Sequence, residues 1–271
     1  MEPNLQRRIQ RYGWDRAAAY YESSWQWQLR PAQDLMLQMA ALQPGERVIE
    51  IACGTGLVSF RMAETVGKSG FILATDISEK MLNIARQVGY QKNIDQVQFS
   101  RMEAESLDVP EGSFNLAACA LGLMYVPRPI KALQELHRAL LPGGRAVAAV
   151  WGQRDQCGWA EIFEIVDKRV SSEVCPMFFN LGNKDMLKRS FEAAGFKNIR
   201  MERLLTQLAY ATAAEACAAA FEGGPVALAY FKFEEWVKEE VKKEYLHSIK
   251  VFQEGEGYLV PGEFVIASGY K

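Results

Sequence analysis

The sequence predicts an α/β protein built on a mostly parallel sheet, and three observations carry that prediction. Short apolar runs alternate with amphipathic helical stretches from residue 44 to about residue 152, the pattern of successive βα units. A glycine turn, Gly54-Thr55-Gly56, joins the first apolar run directly to a helix. Two further strand-like segments, 197–210 and 263–270, follow late in the chain with a helical stretch between them. The 271 residues are enough for one large domain or two small ones and can bury a core without disulfide or metal staples.

Residues 1–43 form a helical lead-in. It is rich in aromatics (Tyr12, Trp14, Tyr20, Tyr21, Trp25, Trp27), and 31–42 continue at helical spacing through Leu35, Met36, Met39 and Leu42. The first strand is 47–52, and 57–66 is the helix after its glycine turn. Strands two to four are 71–75, 97–100 and 114–119, with a helix at 78–88. Ile130, Leu133, Leu136, His137 and Leu140 share one face of a helix over 129–140, and Pro142-Gly143-Gly144 ends it before the fifth strand, 145–151. Helices are predicted at 159–170 and 183–194, the second capped by Asn183 and stopped by Gly195, before the long strand 197–210. Thr212 and Glu215 have capping-box spacing and open an alanine-rich helix that ends near Gly223-Gly224. Residues 225–252 are mostly helical, so 211–252 is a helical cap inserted before the closing segment 253–271 and its final strand. The cofactor-binding core would then be 44–210 within a single domain, 1–271.

Composition excludes several function classes. With 31 Lys+Arg against 33 Asp+Glu and no basic stripe, nucleic-acid phosphates are not expected as partners. Cys53, Cys119, Cys157, Cys175 and Cys217 are widely spaced with no C-x-x-C pair, and only His137 and His247 could join them. That pattern predicts a reducing compartment and no metal site. The first residues carry no apolar stretch, and no apolar run reaches the ~18 residues of a membrane span, so a cytoplasmic protein is expected.

The stretch Glu50-Ile51-Ala52-Cys53-Gly54-Thr55-Gly56 is the most informative. Glycines let backbone approach a ligand, and the following helix N-terminus presents unpaired N–H groups. A dinucleotide-binding turn would have a third glycine where Ser59 stands, and Glu50 would repel a pyrophosphate. The acid suits a cationic ligand group instead. Asp76, at the end of the second strand, can accept both hydroxyl hydrogens of a ribose.

With Met102-Glu103-Ala104-Glu105 after the third strand and Pro142-Gly143-Gly144 before the fifth, this ordered set resembles the class I S-adenosylmethionine-dependent methyltransferases. It is similar in particular to the small-molecule group that includes the ubiquinone/menaquinone C-methyltransferases. The resemblance covers residues 44–152 best. It implies a Rossmann-like, doubly wound, mostly parallel seven-stranded sheet with an antiparallel last strand. It also implies that Glu50, Cys53, Gly54 and Gly56 hold the methionine end of S-adenosylmethionine, and that Asp76 holds the ribose. Ile77 and Met81 would flank the adenine, Glu103, Ala104 and Glu105 would meet its edge, and Cys119, Ala120 and Leu121 would offer carbonyls to the amino group. This chain departs from the family pattern at Glu50, where Asp is common, and at Met102, where Gly is common; neither removes a needed charge.

The acceptor is expected to be a small organic molecule. Cys119-Ala120-Leu121-Gly122 stands where nucleic-acid amino methyltransferases carry Asn/Asp-Pro-Pro-aromatic, and Leu121, Leu123, Met124 and Tyr125 suggest an apolar lining. Tyr125 and His247 are the candidates for orienting or deprotonating the acceptor, while His137 reads as structural. Tyr21 and Trp25 could close over the sulfonium as an aromatic lid. Two alternatives stay open on the residues alone: a nicotinamide-dependent oxidoreductase, and a non-catalytic ligand-binding protein of the same fold.

Overall fold

The computed structural model describes residues 2–171 and 175–271. Its sheet has the strands β1 Arg47–Ile51, β2 Phe71–Asp76, β3 Val97–Arg101, β4 Phe114–Ala120, β5 Leu140–Trp151, β6 Lys197–Tyr210, β7 Gln253–Glu254 and β8 Gly257–Tyr270. The strand order is β3-β2-β1-β4-β5-β8-β6, and the two-residue β7 pairs with the start of β8. All pairs from β3 to β5 are parallel, while β8 runs antiparallel to both β5 and β6. The helices are α1 Pro3–Trp25, α2 Arg30–Ala40, α3 Leu57–Val66, α4 Glu79–Gln91, α5 Pro129–Ala139, α6 Glu161–Asp167, α7 Met186–Ala193, α8 Ala213–Cys217, α9 Ala227–Tyr230 and α10 Glu235–Ser248.

The central strands are largely apolar because both sheet faces are covered. Val48, Ile49 and Ile51 of β1, Leu116 to Cys119 of β4 and Ala146 to Val150 of β5 are essentially inaccessible. Helix α5 shows how the cover forms. Pro129 stands in its first turn, and Ala132, Leu133, Leu136 and Ala139 recur at helical spacing to bury one stripe. His137 lies on its last turn against Phe196, ring centroids 5.0 Å apart, beside Gly195. That is the sheet end opposite the strand carboxyl termini.

Several boundaries differ from the sequence reading, and three of them have a clear local cause. Strand β8 begins at Gly257 rather than 263, because the long β6 pairs along its length to Tyr258 and Gly255, at φ 60°, turns β7 back onto β8. Helix α7 starts at Met186 with Asp185 before it, since 180–182 form a separate 3₁₀ turn and Asn183 bonds back to it. Pro142-Gly143-Gly144 lies within β5 as an irregularity in its register with β4 rather than ahead of the strand.

From β1 the chain steps outward through β2 and β3, then returns to place β4 on the other side of β1. Loops after β1 and β4 therefore diverge and leave a crevice at the strand carboxyl ends, where open α/β sheets bind ligands.

Candidate active site

That crevice is an open cavity of about 770 Å³, solvent at its mouth included. Asp76 forms one side. It is 7% exposed, and its Oδ2 accepts from the Gly54 N–H at 2.9 Å while Oδ1 accepts from the Ser78 N–H at 2.8 Å. The carboxylate is thereby fixed, with lone pairs left for a ligand. Burial raises its pKa to about 6, against the lowering effect of those hydrogen bonds. Gly54 adopts φ 57°, and a Cβ there would find no atom nearer than the Tyr21 ring, 3.8 Å away, so glycine keeps this backbone bare toward the cavity. Gly56 serves packing instead: at φ 88°, an added Cβ would come 2.8 Å from the Phe60 ring.

Glu50, Cys53, Gly56 and Cys119 stand behind the cavity wall rather than on it. Glu50 is 1% exposed; one carboxylate oxygen accepts from Ser59 Oγ and the other, Oε1, has no partner. Burial first, and then Asp76 nearby, push its pKa up to about 8, with the Ser59 hydrogen bond opposing. A buried carboxyl with a free oxygen is poised for a cation.

Ile77, Met81, Met102 and Ala104 make an apolar slot at the other end of the cavity. Glu103 and Glu105 rim it, both paired with Arg7 from α1, at 3.3 and 2.7 Å, and Glu105 Oε1 is buried without a partner. Ala120, Leu121 and Gly122 form the β4 side.

Helix α1 covers the site. Arg7, Gln10, Trp14 and Tyr21 share one face of it and line the cavity. Asp15 hooks the helix to α4, accepting from Ser78 Oγ at 2.6 Å and from the Lys80 N–H at 3.2 Å. Trp14 meets Tyr21 and Tyr125 edge-on, with centroids 5.8 and 5.0 Å away.

A second chamber opens beyond these rings and shares Trp14, Tyr21, Leu121 and Tyr125 with the first cavity. Trp25, Trp151, Trp159 and Phe178 enclose it, and Gly224-Pro225 reach it from the inserted segment. Trp25 thus belongs to this chamber and not to the cofactor cavity, which corrects its expected place. It sits near the carboxy-terminal end of α1, against Trp151 and Trp159 at 6.0 and 6.2 Å.

His247 lines neither space, which corrects the expectation for it. Helix α10 buries Val241 and Tyr245, so the residue two positions after Tyr245 turns outward, into a surface hollow with Glu161 and Lys243. Tyr125 does stand at the boundary of the two chambers, its phenol pKa raised by burial. The sequence reading missed Arg7, Gln10, Asp15, Trp151, Trp159 and Phe178. The helical spacing of Arg7, Gln10, Trp14 and Tyr21 was a usable signal, and so was Trp151 at a strand's carboxyl end. Nothing local marks Trp159 or Phe178. Among the described residues, no group of three or more His, Cys, Asp or Glu could hold a metal ion.

The fold and this crevice define an S-adenosylmethionine-dependent methyltransferase acting on a small organic acceptor. A SAM-dependent methyltransferase from Thermotoga maritima, described as a possible histamine N-methyltransferase, superposes with a TM-score of 0.57 at 21% identity, covering 97% of this chain and 99% of its own. Haemonchus contortus phosphoethanolamine N-methyltransferase 2, solved in complex with S-adenosyl-L-methionine, gives 0.56 at 16% identity, covering 86% of this chain and 52% of its own. At such identities the likeness speaks to the fold. The chain belongs to the ubiE/COQ5 methyltransferase family, whose model matches residues 26–214. It is 28% identical over 179 residues to demethylmenaquinone methyltransferase of Listeria monocytogenes, covering 60% of this chain and 75% of the relative. It is 34% identical over 129 residues to a ubiquinone/menaquinone biosynthesis C-methyltransferase of Rhodopseudomonas palustris, covering 47% and 51%. Nothing in these comparisons favours a nicotinamide enzyme.

Proposed function

We propose that the acceptor is a flat aromatic ring of the quinol class, bound in the chamber beyond the cofactor cavity. The observation that carries this is the chamber's wall: Trp25, Trp151, Trp159 and Phe178 offer ring faces and edges, and Trp14, Tyr21, Leu121 and Tyr125 are common to both spaces. The names of the two curated relatives point to the same chemistry.

The cofactor's charge fits the residues present. Asp76 answers the ribose hydroxyls at the cavity wall, and Glu50, one layer behind that wall with a buried and unpartnered oxygen, backs the turn that meets the ammonium. Gly54 gives the bare backbone of the turn, with Cys53 and Gly56 holding it from behind, and Ile77, Met81 and Ala104 flank the adenine beside Glu103 and Glu105. Cys119, Ala120 and Leu121 supply backbone. Residues 1–43 act as lid and 211–252 as cap over a 44–210 core, supported by Tyr21 and Pro225 reaching the site from those segments.

S-adenosylmethionine supplies, when bound, a methyl group already activated on a sulfonium. The chain's share is positioning, worth about 7–11 kcal/mol when geometry is near attack. Neither histidine lines the two chambers and the Tyr125 phenol stays protonated, so the acceptor brings its own nucleophile and releases its proton to water. We place the enzyme in the cytoplasm; no helix among the described residues is long and apolar enough to cross a membrane.

Turnover tests the proposal. With S-adenosylmethionine and anaerobic 1,4-dihydroxynaphthalene, a methylated naphthol and S-adenosylhomocysteine should form together. Methylation of amines with none of any ring acceptor would overturn it.

Stability should also respond to pH. Both site carboxyls titrate higher in the folded protein than in the unfolded chain, so their stabilising contribution is complete below the ordinary carboxylate range. It is lost as pH rises through about 6 for Asp76 and about 8 for Glu50. Ligand cations reverse that loss, so S-adenosylhomocysteine should raise Tm more at pH 8 than at pH 6. Equal shifts in thermal melts at both pH values would contradict this account.

A further inference from the structure

We infer that Trp159 orients the acceptor, its indole N–H donating to a ring oxygen at the wall of the aromatic chamber. This rests on the reading of that chamber as the acceptor site. Trp159 is 3% exposed, and its Nε1 is buried without any hydrogen-bond partner. Buried indole N–H groups usually find a partner, because an unpaired buried donor is costly. The rings around it cannot serve as strong acceptors. Trp151 lies 4.7 Å away by centroids, Phe178 5.6 Å, Phe179 5.8 Å and Phe163 5.9 Å. Of the buried unpartnered side-chain atoms among the described residues, Trp159 Nε1 is the one whose residue lines the aromatic chamber.

The donor also decides between two kinds of ligand that aromatic walls attract. Ring faces hold cationic amines as readily as flat rings, and such sites gain from a carboxylate beside the cation. Among the described residues the chamber's lining contains no Asp or Glu, and an N–H donor repels a cation while it attracts oxygen. The chemistry therefore selects a phenolic or quinone-type oxygen, held at a fixed distance from the boundary residues Leu121 and Tyr125. Trp159 is a positioning residue in this scheme, since it fixes which edge of the ring faces the cofactor cavity.

The substitution Trp159→Phe keeps a ring in the wall, removes the donor and gives up three ring atoms of packing, a loss that the oxygen-free ligand reads separately. Calorimetry on protein saturated with S-adenosylhomocysteine would compare 1,4-dihydroxynaphthalene with 1-methylnaphthalene, which lacks oxygen. The variant should bind the hydroxylated ring about tenfold more weakly, the scale of one hydrogen bond, and the oxygen-free ring unchanged. Its affinity for S-adenosylhomocysteine should match that of the native protein, and in turnover KM should rise more than kcat falls. Phe178→Leu, a packing control, should weaken both rings alike. Equal loss of both rings in Trp159→Phe, or no loss of either, overturns the role of the N–H while leaving the chamber intact. If the native protein binds S-adenosylhomocysteine but neither ring, the chamber itself is not the acceptor site, and the proposal falls with it.

Discussion

Asp76→Ala should leave a folded protein that no longer binds S-adenosylhomocysteine measurably, a loss of at least about a hundredfold. The carboxylate has two tasks. It fixes the glycine turn through Gly54 and the start of α4 through Ser78, at 2.9 and 2.8 Å, and its remaining lone pairs face the cavity. Losing two charge-assisted hydrogen bonds to a ribose costs roughly 3–6 kcal/mol at about 1.5–3 kcal/mol each. Loosening Gly54 adds to that. Asp76→Asn retains one acceptor oxygen and should lose less. Calorimetry on both variants checks the order, and near-native affinity in Asp76→Ala would remove Asp76 from the site.

Gly122→Ala should lower Tm by roughly 6–12 °C, with loss of cofactor binding at temperatures where the protein still folds. Gly122 follows β4 at the point where its loop meets the loop after β1. An added Cβ would overlap the Cβ of Ala52 and come 3.2 Å from Cys119 Sγ. The backbone of Gly122 is ordinary, at φ −106°, so the requirement is steric. Overpacking there costs about 3 kcal/mol, and each kcal/mol shifts Tm by about 2–4 °C in a chain of this size. Ala52 itself has φ 52°, a conformation glycine adopts without strain. The double variant Ala52→Gly/Gly122→Ala should therefore regain most of the lost Tm. Failure of that rescue would show that the two loops do not meet as described.

The parts of the site that are local in sequence were legible in it. A strand, a glycine turn and a helix N-terminus occupy consecutive residues, and Asp76 ends its own strand, so Gly54 and Asp76 could be found from pattern alone. The same alternation predicted a parallel sheet, while the order of its strands is set by tertiary pairing. The acceptor chamber was not legible, because Trp25, Trp151, Trp159 and Phe178 come from four separate segments and meet only through tertiary packing. Trp25 was assigned to the wrong chamber for that reason: its place on a covering helix was readable, but the 23-residue length of α1 carries its last turn beyond the cofactor cavity. His247 failed differently. Its residue type suggested chemistry, while the stripe of Val241 and Tyr245 already pointed the other side of α10 inward.

The central claim is that a cofactor cavity and an aromatic acceptor chamber share one wall at Leu121 and Tyr125. A crystal structure with S-adenosylhomocysteine and 1,4-dihydroxynaphthalene tests it most directly. The account predicts the adenine beside Met81 and Ala104, the sulfur facing Leu121 and Tyr125, and the naphthalene ring among Trp25, Trp151 and Trp159 with one oxygen on the Trp159 indole nitrogen. A naphthalene ring bound outside that chamber, with the sulfur turned away from it, would contradict the account.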